Sequence, residues 1–143
     1  IEAHMRPHHL HASFADAPIS NRALYRFVRD VGGQKGEATA IDTAMLALAD
    51  VQAVHEGTPP SWTRYLDHIA QIVGYVFDDQ GQMDVRRRPL LDGHTLMAHL
   101  DLKPGRSVGL LMGKLMEAQA AGDVTTIDEA LSLASDLWEE MEE

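Results

Sequence analysis

Cysteine is missing from this chain of 143 residues. That absence removes disulfides, thiolate zinc sites and cysteine nucleophiles together, so any metal would have to be held by His, Asp or Glu. Long apolar runs are missing as well. Nothing approaches the length of a membrane span and no basic-then-apolar leader opens the sequence, which therefore reads as cytoplasmic. Positive charge is scarce, with 12 Lys and Arg against 22 Asp and Glu and a formal net charge of -10. An average field of that sign repels a polyanion and argues against nucleic-acid binding through bulk charge alone. The distribution is uneven, however. Arg22, Arg26 and Arg29 share one segment and Arg86, Arg87 and Arg88 another, while part of the acid excess is gathered in Glu139, Glu140, Glu142 and Glu143. Local basic patches survive the negative sum.

What is present is helical patterning. A hydrophobic share of 45% is ordinary for a folded chain, and the length suffices for one moderate core or two small helical units. The spacing of Ala23, Leu24, Phe27, Val28 and Val31 predicts a helix from about 21 to 31, with Ser20 as its N-cap. A second helix is predicted from about 39 to 55, with Ile41, Met45, Leu48 and Ala49 on its inner face, stopping at Gly57 and the Pro59-Pro60 pair. A third, from about Ser61, carries Trp62, Tyr65, Leu66, Ile69, Ile72, Val73, Val76 and Phe77 at spacings of three and four. The aromatics of that stripe read as packed core rather than as platforms for bases.

Between Asp78 and Leu91 the periodicity breaks into Asp-Asp-Gln-Gly and Arg-Arg-Arg-Pro, which places a boundary near residue 85 between a helical body, 1–85, and a tail unit, 86–143. In the tail, Asp92 caps a short helix, Lys103-Pro104-Gly105 makes a turn, and Val108, Leu111, Met112, Leu115 and Met116 line a longer helix that Gly122 ends. Thr126 and Glu129 form a capping box for a last helix with Ala130, Leu131, Ala134, Leu137, Trp138 and Met141 inward. No strand pattern and no long repeat are present. The expected fold is all-α, a multi-helix bundle with a helix-turn-helix-like C-terminal tail.

Three features invite chemistry. The Lys103 to Gly109 turn sets Gly105 and the first amides of a helix between Lys103 and Arg106, an arrangement that suits a phosphate; alternatively Pro104 and Gly105 shape a tight corner and Gly109 permits close packing. Arg22, Arg26 and Arg29 recur at four and three residues and share one helical face that can follow a nucleic-acid backbone, or pair with Asp30, Asp50 or the acidic tail. Third, His4, His8, His9 and His11 fall within eight residues, so His4, His8 or His9, with Asp50, are the metal-ligand candidates. Consecutive His8 and His9 project differently on any regular element, which favours a surface or structural role for them.

The run PLLDGHTLMAHLDLKPGRSVGLLMGKLMEAQAAGDVTTIDEA from Pro89 to Ala130 resembles the C-terminal region of the tRNA nucleotidyltransferase and poly(A) polymerase family. The likeness lies in a leucine-rich helix, a Pro-Gly turn, a helix, Glu-Ala-Gln and a Gly-containing link. His4-Met5-Arg6-Pro7, followed by the helix from Ser20 through Arg26-Phe27, is similar to the stretch after the His-Asp phosphohydrolase core in bacterial fusions of that family. The chain departs from the family form at Gly105-Arg106, where Gly-Pro is frequent, and at Asp101, where Gly is common.

The resemblance implies a helical part that positions RNA, tRNA above all, while a head elsewhere in the parent protein transfers nucleotides from a triphosphate with magnesium. It implies phosphate contacts from Arg22, Arg26, Arg29, Arg86, Arg87, Arg88, Lys103, Gly105 and Arg106, and no cofactor within this stretch. The chain has no Gly-Ser dipeptide for the triphosphate and no adjacent His-Asp pair, so neither active site is complete in it. Two alternatives remain: the C-terminal half of a metal-dependent phosphohydrolase, and an acidic helical module whose exposed apolar faces pair two copies into a homodimer.

Overall fold

Seven helices make up 79% of the described residues: α1 (Arg6–Ser13), α2 (Asn21–Gly32), α3 (Glu37–Val54), α4 (Trp62–Val76), α5 (Gly93–Leu100), α6 (Arg106–Ala121) and α7 (Ile127–Glu142). The computed structural model describes residues 5–14, 17–32, 37–54, 57–58, 61–77 and 88–142. The fold is all-α, with no strand among the described residues. No described helix is long and apolar enough to cross a membrane. The chain divides into two compact units, Ile1–Arg86 and Arg87–Glu143.

In the first unit α2, α3 and α4 pack on one another, and α1 lies against α3 and α4. Leu24, Phe27 and Val28 of α2 meet Tyr65, Ile69, Ile72 and Val76 of α4 in the core. Ser20 accepts the Ala23 amide at 3.3 Å and so starts α2. Of the predicted inner face of α3, Ile41 and Leu48 pack against the core, but Met45 and Ala49 do not. Ala40, Thr43, Ala44 and Ala47 are buried, while Met45 is 42% exposed and Ala49 also faces outward. The cause is that α3 is apolar on both sides, so periodicity does not select a face. Its alanines win because small side chains let two neighbouring helices approach. Leu66, placed by spacing in the core stripe, sits at the stripe's margin and is 38% exposed.

The sequence pattern does not announce α1, whose polar composition hides it. Pro7 stands in its first turn, where a missing amide costs nothing, and is buried. The connection from α1 to α2 is held from α4 by polar side chains: Gln71 Oε1 accepts the Ile19 amide at 2.8 Å, and His68 Nε2 lies 3.0 Å from the Ala17 carbonyl oxygen.

In the second unit α5, α6 and α7 pack pairwise. Leu96, Leu111 and Ala134 are fully buried, with Leu91, Leu115, Ala118, Val124 and Ala130 around them. Asp92 Oδ1 accepts the Thr95 amide at 2.7 Å and caps α5. Asp101 closes that helix in the left-handed region, φ 51°, a conformation that favours glycine and that explains why glycine suits this place. Gly122 ends α6 with φ 85°. The capping box is closed in both directions, Glu129 amide to Thr126 Oγ1 at 3.2 Å and Thr126 amide to Glu129 Oε2 at 3.1 Å. Gln119 of α6 binds the segment ahead of α5 on both sides of its amide, accepting from the Leu90 amide and donating to the Arg88 carbonyl, each at 3.0 Å.

Candidate functional site

Because α1 and α2 rest on the other helices of their unit, a cleft of about 290 Å³ remains between them. Arg6, His9 and Ser13 of α1 and Arg26 of α2 supply its polar lining, and Leu10, Ala23 and Phe27 its apolar floor. Arg6 Nη2 is 3.0 Å from Asp30 Oδ2, and Arg29 Nε is 2.8 Å from Asp30 Oδ1, so one carboxylate holds two guanidiniums. Burial works to raise the Asp30 pKa, but the hydrogen bonds and charges of Arg29 and Arg6 win and hold it below the usual carboxylate value. Arg29 also stacks on Tyr25, 5.7 Å from the ring centre.

Behind the cleft, α1 is fastened to α4 by imidazoles. His11 Nδ1 lies 2.9 Å from His68 Nδ1, and Tyr65 Oη lies 3.2 Å from His8 Nδ1. The network assigns the tautomers. A carbonyl only accepts, so His68 donates its Nε2 proton to Ala17 and accepts at Nδ1 from His11, whose Nε2 then carries the lone pair. The His11 and Tyr65 rings meet edge-on at 4.9 Å, and His8 stacks on Tyr65 at 5.7 Å. Burial first, then the charges of His68, His8 and Arg64, lower the His11 pKa. Burial, helped by the negative charge of Asp50, pushes the Tyr65 phenol up to about 12, so it stays a donor.

In the second unit Lys103, Gly105 and Arg106 are exposed at the start of α6, and no side chain caps that helix. Gly105 is extended, with φ 176°, and a methyl group there would meet only the Lys103 carbonyl oxygen at an ordinary 3.8 Å. At Gly109 a methyl group would meet nothing within 4 Å. The reading of Gly109 as a close-packing residue is therefore overturned: no helix approaches it within its unit.

The structure thus brings Arg26 to the cleft, pairs Arg29 with Asp30, and leaves Arg22 and Arg88 on the surface. Arg86, Arg87 and His4 lie outside the described residues. His8 and His9, adjacent in sequence, separate: His8 turns to Tyr65 and His9 to the cleft. Asp50 is half-buried on α3 and acts on Tyr65. No three His, Asp or Glu side chains among the described residues are grouped to hold a metal. Arg6, His68 and Gln119 escaped sequence reading, and Tyr65, read as packed core, is buried as expected and in addition meets His8. The signal for Arg6 and His11 was Pro7, which as a first-turn proline marks a helix and puts Arg6, His9 and Ser13 on one of its faces. No protein-family model, no curated protein and no solved structure matches the chain.

Proposed function

We propose that this chain is a helical RNA-positioning part of a nucleotidyltransferase of the tRNA and poly(A) type, without catalysis of its own. The observation that carries the reading is the exposed arginine face of α2, Arg22, Arg26 and Arg29, which Arg6 extends from α1 through the shared Asp30. Arginines spaced along a helix meet successive phosphates, and their contacts position a nucleic acid without reading its sequence. Lys103 and Arg106 at the uncapped start of α6 supply a second contact, which the exposure of Gly105 and the open space beside Gly109 leave accessible to a phosphate. Arg86, Arg87 and Arg88 complete the set. Magnesium and the nucleoside triphosphate belong to the parent's head.

The overall charge of -10 sets the terms. Binding through a few cationic groups on an acidic protein is modest and strongly salt-dependent. Labelled tRNA titrated with the protein at low and moderate salt tests the proposal. Binding that weakens steeply with salt, and that falls when Arg22, Arg26 and Arg29 are replaced by Ala, supports it; no binding at low salt defeats it.

A second reading has its own observation. Met45, Leu46, Ala49 and Ala53 share the outward face of α3, an apolar stripe on a helix whose other face is already buried. That stripe supports the helical dimerisation module, and concentration-dependent sedimentation abolished by Leu46→Glu would favour it.

A further inference from the structure

We propose that the cleft between α1 and α2 is a binding site for a small organic phosphate: one phosphate group carried on a single ring-sized body. The polar and the apolar parts of the lining suit the two parts of such a ligand. Arg6 and Arg26 face it from opposite helices with His9 beside them, while Leu10, Ala23 and Phe27 form an apolar floor. A guanidinium carries five N–H donors in a fixed fork. The Asp30 pair engages Arg6 through Nη2 and orients the group at the rim. Both Asp30 oxygens are occupied, Oδ2 by Arg6 and Oδ1 by Arg29, so the acid steadies the cation at the rim of the cleft.

Size selects the ligand class. At about 290 Å³ the cleft is at the lower end of small-molecule sites, a size that suits a phosphate with a sugar or a base. The walls are formed in advance, because separate contacts hold them. On one side α1 is fixed by buried Pro7, the His11–His68 hydrogen bond and the Tyr65–His8 contact. On the other, α2 is fixed by Leu24, Phe27 and Val28 in the core. A ligand entering preset walls loses little affinity to ordering the protein. Ser13 donates its hydroxyl to the His9 carbonyl at 2.9 Å, which leaves its oxygen able to accept a ligand hydroxyl. The phosphate is free or is the phosphorylated end of an RNA; the chemistry at the cleft is the same. This site stands independently of the RNA reading.

The test is an amide NMR titration of the whole protein with ribose 5-phosphate, adenosine 5′-monophosphate, adenosine, and an RNA tetramer with and without its 5′-phosphate. The phosphate esters should shift the amides of residues 6–13 and 23–27, and adenosine should not. Arg26→Ala should weaken the esters about tenfold, with Arg26→Lys between the two because the charge remains and the fork is lost. A shift with the phosphorylated tetramer and not with the mononucleotides would assign the site to an RNA end. Shifts from no phosphate compound, or shifts spread evenly over all cationic helices and unchanged in Arg26→Ala, would overturn the site. Mononucleotide binding in the cleft without tRNA binding would defeat the RNA reading alone. Conversely, salt-dependent tRNA binding that none of these small phosphates displaces, with no shift in the cleft from any of them, would defeat the site alone.

Discussion

Leu96, Leu111 and Ala134, fully buried in the second unit, are aliphatic, whereas in the first unit an imidazole, His68, is nearly as deeply buried as Ile72 and Val76. The second unit puts most of its polar work at the ends of its helices, in the Asp92 cap, the Gln119 clamp and the Thr126–Glu129 box, beside one exposed contact of His99 with Ser135. The first unit puts hydrogen bonds beneath α1 and uses them to hold a polar helix that has little apolar surface of its own. Aliphatic burial is non-directional and tolerates small movements. Buried polar contacts depend on tautomer and distance, and they fail abruptly when one partner is lost.

The largest effect expected from breaking this contrast is in the second unit. Leu111→Ala should cost about 2–5 kcal/mol, a large share of the stability that so small a unit can have. Loss of helicity by circular dichroism, with Trp138 fluorescence shifting to that of an exposed indole, is the expected result. In the first unit His68→Phe keeps the apolar volume but strands the Ala17 carbonyl and the His11 donor, which should cost about 1–3 kcal/mol. Hydrogen exchange should then show α1 losing protection while α2 and α4 keep theirs.

Acid sharpens the same comparison. His11 has a folded pKa below its ordinary 6.5, so the unfolded chain binds the proton more readily than the folded one. Its contribution is complete above about pH 6.5 and is lost as the pH falls toward the folded value. In the second unit Asp92 is held below its ordinary 3.8 by hydrogen bonds from Thr95, and Glu129 below its ordinary 4.5 by hydrogen bonds from Thr125 and Thr126. Their contributions persist above the ordinary carboxylate range and are lost only below it. Thermal melts from pH 7.5 to 5 should therefore lower the transition of the first unit and leave the second in place. Equal shifts would show that the imidazole network does not hold α1. The smallest effect expected is a gain: Asp101→Gly should stabilise α5 by about 0.5–1 kcal/mol by relieving the left-handed residue.

These differences decide what could be read from the sequence. The second unit was legible nearly to its boundaries because its helices carry one-sided aliphatic stripes and explicit end signals, from Asp92 through Gly122 to Thr126. In the first unit α2 and α4 were legible for the same reason. The inner face of α3 was legible only in part, at Ile41 and Leu48, since an apolar residue on either side satisfies the same spacing. Nor was α1, whose stability lies in contacts with Tyr65 and His68, 57 residues away in each hydrogen-bonded pair. For the candidate site, the arginine face of α2 was visible as a spacing. The cleft was not, because Arg6 and His9 reach it only once α1 has formed.

If cationic side chains in both units hold RNA phosphates, as proposed, the salt dependence of tRNA binding will show it most directly. Plotted as log K against log salt, the slope should fall by about one for each lost phosphate contact. A steep slope is expected for the intact protein, reduced by Arg22→Ala with Arg26→Ala and reduced separately by Lys103→Ala with Arg106→Ala. A shallow slope that none of these replacements changes would contradict it.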